Sequence, residues 1–166
     1  MKRIAAIALL AFTLAPAVAW AIPQSSGGIF QGAGGTAFPL EEWLREAAHW
    51  LPGAELPGQW TPASTDPNHL ETTSPGNVFG VGASSAVIVR SPEGAIKSVV
   101  VRFDPGKTSR AALLARLKSS VTAFLNSKKW ETTNAGQTST GGALTVLLAQ
   151  SSAGAAATAT ITLATP

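Results

Sequence analysis

The chain has 166 residues, 45% of them hydrophobic and 13% charged, with a formal net charge of +3 at pH 7. It contains no cysteine, which excludes a disulfide scaffold, a thiolate zinc site, an iron–sulfur cluster and a cysteine nucleophile. A chain of this length accommodates one domain with a substantial core.

Residues 1–21 have the three parts of a cleavable export signal. A Lys-Arg pair gives a positive start, residues 4–14 form an apolar run, and Ala19 and Ala21 place small side chains where a signal peptidase reads them. The apolar run is too short to span about 30 Å of hydrocarbon as a permanent helix. We therefore predict an exported protein, periplasmic or extracellular, that begins at Ile22. Cleavage two residues earlier and an uncleaved anchor are the alternatives.

Residues 22–37 are rich in glycine and nearly free of charge, which predicts a flexible lead-in. Residues 38–76 are predicted to form a short helix and a proline-rich connector. The helix is expected over residues 40–51, where acidic residues fill the first turn and a Pro-Gly pair ends the pattern. Beyond it, turn signals with little periodicity predict the connector. The sequence leaves open whether this helix packs on the rest of the chain.

Residues 77–166 are predicted to form an α+β domain. Two β-branched runs, residues 86–90 and 96–103, are joined by a Pro-Glu-Gly turn and predict a hairpin. The second run alternates, as in a sheet that is covered on one side only. The inward set is Val99, Val101 and Phe103, and the outward set is Ser98, Val100 and Arg102.

Residues 109–126 carry the clearest helical periodicity in the chain. Thr108 or Ser109 can cap the N-terminus of this helix, and Asn126 suits its C-terminal end. The apolar stripe consists of Leu113, Leu114, Leu117, Val121, Phe124 and Leu125.

A strand over residues 130–133 and a second hairpin, residues 143–150 and 157–163, are predicted to follow the helix. In the last strand the inward set is Ala159, Ile161 and Leu163, and the outward set is Thr158, Thr160 and Thr162. The elements together predict an α+β fold. It has an antiparallel sheet of about five strands in two hairpins, covered on one face by the helix at 109–126, with a short extra N-terminal helix.

The motifs that resemble ligand sites are incomplete. The Gly-Lys-Thr sequence at 106–108 follows a strand and precedes a helix, but a phosphate-binding loop needs a glycine where Val101 stands. Glu46 and His49 have a spacing used by carboxylate metal centres, but only one copy is present. We predict neither a cofactor nor a metal site.

The residues of a serine hydrolase are available without a recognisable arrangement. Ser84, His69 and Asp66 could supply a triad, but Ser84 precedes a strand and lacks the motif of a nucleophile elbow. We therefore assign no catalytic residue from the sequence.

Charge is unevenly divided along the chain. Residues 22–75 hold six acids and one base, whereas residues 76–166 hold nine bases and three acids. Without the signal the chain is nearly neutral, so its overall charge does not indicate nucleic acid binding. The division predicts either that the two segments dock on each other, which we favour, or that a basic face meets an anionic surface. The candidate residues for binding an anion or partner are Lys107, Arg110 and Lys118.

Two tryptophans are candidates for exposed aromatic contacts, because Trp50 and Trp60 flank proline-rich turns. The sequence as a whole favours a non-catalytic binding domain of the bacterial cell envelope, with an envelope protein or an anionic surface as partner. We expect no transmembrane segment once the signal is removed. A small hydrolase that uses Ser and His, and a structural or assembly component, are the alternative functions.

Overall fold

The computed structural model describes residues 40–63, 65–150 and 157–164. The predicted export signal and lead-in, and the turn between the last two strands, lie outside these residues. The described elements in chain order are α1 (Leu40–Trp43), a 3₁₀ helix (Ala47–Trp50), β1 (Thr61–Ala63), β2 (Asp66–Thr72), β3 (Asn77–Val78), β4 (Val81–Gly82), β5 (Ser85–Arg90), β6 (Ile96–Phe103), α2 (Arg110–Leu125), β7 (Glu131–Thr133), β8 (Gly136–Gly141), β9 (Leu144–Gln150) and β10 (Ala157–Leu163).

Eight strands form one sheet in the order β1-β2-β5-β6-β10-β9-β8-β7, and β3 and β4 form a separate small hairpin. Every neighbouring pair in the large sheet is antiparallel. After β6, helix α2 carries the chain to the far edge, where β7 lies, and β8, β9 and β10 follow in turn back across the sheet until β10 pairs with β6. The α+β class and the antiparallel sheet are confirmed, but the sheet has eight strands where the sequence predicted about five.

The strands that the sequence did not predict lie in segments with few apolar residues. The predicted connector contains β1 and β2, so that prediction is wrong for these residues. Pro62 is tolerated because β1 is an edge strand, where a missing N–H breaks no inner ladder. In β8 only Ser139 is buried, and its hydroxyl donates to the Lys129 carbonyl at 2.7 Å. None of these three strands, β1, β2 and β8, presents the apolar alternation on which a sequence-based prediction depends.

The predicted helix over residues 40–51 is broken at Glu46, whose backbone is extended, with φ −83° and ψ 118°. In a continuous helix the carbonyls of Trp43 and Leu44 would accept from backbone N–H groups four residues later. Here the His49 Nδ1–H donates to the Trp43 carbonyl at 2.6 Å, and the Trp50 Nε1–H donates to the Leu44 carbonyl at 2.8 Å. Side chains thus satisfy the backbone where the helix stops.

Helix α2 confirms its sequence prediction in extent and caps, and the predicted apolar stripe is buried except for Leu114, which is half-buried. The Ser109 hydroxyl accepts from the Ala112 N–H at 3.3 Å, and Asn126 ends the helix in the left-handed conformation. Both predicted hairpins are present as β5–β6 and β9–β10. Leu163 lies opposite the buried Leu144 and so shares the inward face as predicted, but at the end of β10 it is 43% exposed.

One face of the sheet is covered by helices, and α2 covers only part of it. Helix α2 contacts β8, β9 and β10, whereas the 3₁₀ helix contacts β6. Trp43, Leu44 and Trp50 are buried in the same cluster as the inward residues of the strands and of α2. The N-terminal segment therefore packs on the common core and shares the covering of this face.

Two adjacent glycines, Gly141 at the end of β8 and Gly142 directly after it, allow the close packing of α2 against β8 to be tested. A Cβ at Gly141 would overlap the Leu125 carbonyl oxygen, whereas at Gly142 it would meet nothing within 4 Å. We expect Gly141→Ala to lower the free energy of unfolding by about 3 kcal/mol or more, because two backbones must separate. At Gly142 the backbone φ of +59° is the only obstacle to alanine, so Gly142→Ala should lower the free energy of unfolding by roughly 1–2 kcal/mol. Chemical unfolding measures both, and equal losses would contradict the close approach.

Candidate interaction surface

The face of the sheet away from the helices carries a row of side chains that crosses all eight strands. Cross-strand neighbours point to the same face, so the row can be followed from one pairing to the next. It runs Thr61, Glu71, Val87, Val100, Thr160, Leu147, Thr138 and Glu131. Val100 lies between Val99 and Val101, which are fully buried beneath the helices. Because strand residues alternate between faces, Val100 and its row point the other way.

Two further rows flank the first and complete what we call the open face. On one side are His69, Val89 and Ser98, with Thr162, Thr145 and Thr140 on the later strands. On the other side are Ser85, Arg102, Thr158 and Ala149. The open face thus has valine and leucine near its middle, threonines around them and charges toward its margins.

The described helices lie on the opposite face. The buried residues of α1, of the 3₁₀ helix, of α2 and of β3–β4 all belong to the core cluster that includes the inward strand residues. On the open face Val87, Val89, Val100 and Leu147 are half-buried by their neighbours in the sheet. Within residues 40–63, 65–150 and 157–164, these apolar side chains therefore have no covering layer.

The two tryptophans that the sequence predicts to be exposed, Trp50 and Trp60, differ in their burial. Trp50 is 2% exposed, so the expectation that it presents an exposed surface is wrong. Its burial follows from the helix break, which turns the indole under the sheet toward the Leu44 carbonyl. Trp60 is partly buried against the core, and its Nε1–H donates to the Pro57 carbonyl at 2.8 Å.

The predicted basic residues lie along α2 and do not converge. Lys107 is exposed in the loop before the helix, and Arg110 is the first helical residue. Lys118 stands two turns further on, about 12 Å along the axis at 1.5 Å per residue. Its ammonium lies over the Trp130 ring, 5.2 Å from the centroid. These residues lie on the helix side of the sheet and are not part of the open face.

The histidines occupy sites with definite partners. His69 Nδ1 lies 2.6 Å from an Asp66 carboxylate oxygen, which is the pairing that a triad requires. Ser84, however, is five residues from Val89, the position opposite His69, which separates them by about 16 Å along the strand. Its hydroxyl donates instead to the Arg102 carbonyl. The structure therefore does not bring the three residues of the hypothetical triad together.

Two open grooves lie on other parts of the molecule. One, of about 420 Å³, runs between α2 and the β7–β8 hairpin and is lined by uncharged residues such as Leu114, Asn134 and Gln137. The other, of about 680 Å³, lies at the C-terminal end of α2 beside Lys128 and Lys129. Neither groove has a carboxylate or histidine in its lining. Within the described residues, no group of three potential ligands is placed to hold a metal ion.

The acidic N-terminal segment docks on the basic part through the common core and through polar contacts of Arg45 and Glu41. Among the described residues, the close contacts Arg45–Glu42, His49–Glu46 and His69–Asp66 join residues of the acidic segment itself. The contact to α2 is made by the segment's one base. Arg45 donates to the Phe124 carbonyl at 2.8 Å, and its guanidinium lies 4.3 Å from the centroid of the Phe124 ring.

Glu41 makes the second polar contact of this docking. One carboxylate oxygen accepts from the Phe79 N–H at 3.2 Å, and the other is buried with no hydrogen-bond partner. Burial raises the pKa of Glu41, and the hydrogen bonds from the backbone N–H groups of Glu41 and Phe79 offset this only in part. Glu41 is therefore a carboxyl group whose charged form the fold disfavours.

Comparison with family models, with curated proteins and with solved structures finds no match to this chain. The fold alone therefore defines its class, an α+β protein built on one large antiparallel sheet, with no cysteine and hence no disulfide. No helix in the described part of the chain combines the length and the apolar character needed to cross a membrane.

The Arg45 contact predicts a measurable loss of stability on substitution. Arg45→Gln removes the guanidinium that satisfies a carbonyl at the C-terminus of α2, where the helix dipole favours a cation. We expect the free energy of unfolding to fall by about 1 kcal/mol. Lys97→Gln, at an exposed position of β6, is the matched control and should change it by less than about 0.5 kcal/mol. Equal losses in chemical unfolding would refute a special role for Arg45.

The pKa of Glu41 predicts the sign of a pH dependence. The folded-state pKa of Glu41 lies above the ordinary value of 4.5 for a glutamate. Between the ordinary and the folded-state pKa, the folded state therefore binds more protons than the unfolded state. Stability contributed by this group is therefore present at low pH and lost as pH rises through that interval.

Glu41→Gln should remove this part of the pH dependence and leave the protein slightly more stable at pH 7, by less than about 1 kcal/mol because the site is partly solvated. Unfolding free energies measured from pH 4 to 8 test this, with Glu42→Gln as the control at an exposed neighbouring carboxylate. A variant that becomes less stable only at pH 7 would show that the charged form is favoured instead.

Proposed function

We propose that this chain is an exported, non-catalytic interaction domain that binds another protein through the open face. The observation that carries the proposal is that three apolar side chains, Val87, Val100 and Leu147, lie in the middle of the central row and are left uncovered by the described helices. The export signal predicted from residues 1–21 supports a periplasmic or extracellular location. The open face would then work in a compartment where its partner is another envelope or secreted protein.

The composition of the open face supports protein binding. Antiparallel sheets that face water on one side usually alternate apolar residues inward with polar residues outward. Here Val87, Val100 and Leu147 break that rule at the centre of the outward face. An apolar centre with a polar rim is the arrangement found in protein interfaces. The threonines supply such a rim, because their methyl groups pack while their hydroxyls form hydrogen bonds.

The positions of the other candidate groups favour this reading over the alternatives. An anionic surface would be expected to meet a cluster of cations, but Lys107 and Lys118 are separated along α2, and Lys118 is engaged with Trp130. A hydrolase would need a nucleophile beside His69, and Ser84 lies too far along its strand. A structural or assembly role remains compatible with the proposal, because assembly also acts through protein interfaces.

Site-specific photo-crosslinking tests which surface is occupied in the cells that make the protein. A photoreactive amino acid is placed at Val100 or Leu147 on the open face, and at Ala115 on the exposed side of α2 as a matched control. We expect protein adducts from the first two positions and none from the control. Adducts at the control alone, or no adduct from either open-face position, would refute the proposal.

A further inference from the structure

We infer that the open face takes a second copy of the same chain, so that two sheets pack face to face about a two-fold axis. This inference rests on the proposed function and specifies its partner. The strand order divides evenly, with four strands on each side of the boundary between β6 and β10. A two-fold axis along that boundary places β6 over β10 of the other copy, β5 over β9, β2 over β8 and β1 over β7.

The register of the central row makes this arrangement self-complementary. Val87 and Leu147 occupy equivalent positions on β5 and β9, since Val87 pairs with Val100, Val100 with Thr160 and Thr160 with Leu147. The axis therefore sets Val87 of one copy against Leu147 of the other, twice. At the centre Val100 meets Thr160, whose methyl group can pack against it. The most apolar positions of the face thus bury one another.

Charges on the open face are placed so that none meets a like charge. In the same superposition each charged residue of the rows meets a threonine of the other copy. Arg102 meets Thr158, Glu71 meets Thr138, and Glu131 meets Thr61. A two-fold interface uses one surface patch twice, so it must avoid opposing like charges. The hydroxyl groups of Thr158 and Thr61 can act as hydrogen-bond partners of the opposing charges, whereas the Thr138 hydroxyl is buried within its own chain.

The dimensions of the open face suit a stable dimer. Without the two short edge strands, six strands remain, from β2 to β8 in the sheet order. Spaced about 4.8 Å apart and about six residues long, they cover roughly 29 by 20 Å. This flat area is close to 600 Å², and the side chains that project from it add further accessible surface. Stable interfaces bury about 800 Å² of accessible surface per partner. Packed sheets lie about 10 Å apart with strands within about 30° of each other, so the pairs nearest the axis stay closest to register.

The first test is the oligomeric state of the purified full chain by sedimentation equilibrium. We expect a concentration-dependent dimer in which Val100→Lys raises the dissociation constant about tenfold or more, because it buries two unpaired ammonium groups near the axis. Ala115→Lys, on the exposed side of α2, should leave the dissociation constant unchanged. Circular dichroism and unfolding curves show whether each variant is folded.

Engineered cysteines provide a second test that does not require disrupting the interface. The chain has no cysteine of its own, so each introduced thiol is unique. A mixture of Val100→Cys and Thr160→Cys chains should be joined by a short bifunctional thiol reagent, because these positions face each other across the roughly 10 Å between packed sheets, which is too far for a direct disulfide. A mixture of Val100→Cys and Ala115→Cys chains should not. Equal crosslinking in both mixtures would overturn the face-to-face arrangement.

The outcomes separate this inference from the proposed function. A chain that stays monomeric at about 100 μM, or a dimer unaffected by Val100→Lys, overturns the inference. If photo-crosslinking at Val100 then joins the chain to a different protein, the proposed function still stands. If Val100 crosslinks within the same chain, to residues 22–39, the face is covered internally and both fail. If photo-crosslinking at Val100 joins two copies of the chain and Val100→Lys weakens the dimer, both the inference and the proposed function are supported.

Discussion

The contact on which the rest of the structure depends is the packing of the α2 stripe against one face of an antiparallel sheet. Leu117 and Val121 are fully buried there. Because the helix connects β6 to the opposite edge, the later strands must return toward β6, which produces the eight-stranded order. A helix about 24 Å long cannot cover a sheet of eight strands. The uncovered half of that face is what the N-terminal segment fills.

This constraint explains why residues 40–51 do not form the helix that their periodicity predicts. A short helix gains little from its own hydrogen bonds and takes its shape from tertiary packing. Here the segment must bury Trp43, Leu44 and Trp50 in the space beside α2. The break at Glu46 allows this, and the side chains of His49 and Trp50 satisfy the carbonyls that it exposes. The sequence showed the apolar stripe but not the shape of the space it fills.

The parts of the fold that could be predicted are those specified by residues that lie close together in the sequence. Helix α2 has periodicity and caps, and β5–β6 and β9–β10 have alternation and turns, so each was found from the sequence. Strands β1, β2 and β8 take their form from neighbours, because Pro62 depends on an edge position and Ser139 on the Lys129 carbonyl. From the sequence, the residues of the open face could be recognised only as the outward positions of single predicted strands. Its continuity across eight strands required the register, which residue patterns alone do not fix.

The edges of the sheet bear on how the protein can associate. An exposed sheet edge is a template for adding another strand, and proteins block it with short strands or with proline. Both edges here are three-residue strands, and β1 includes Pro62. Edge pairing could therefore form few hydrogen bonds at either end. The open face carries the apolar side chains from Val87 to Leu147, and no described element covers it. The short edges thus offer a partner less than the open face does, and the proposed face-to-face pair would close on itself because it uses that surface completely.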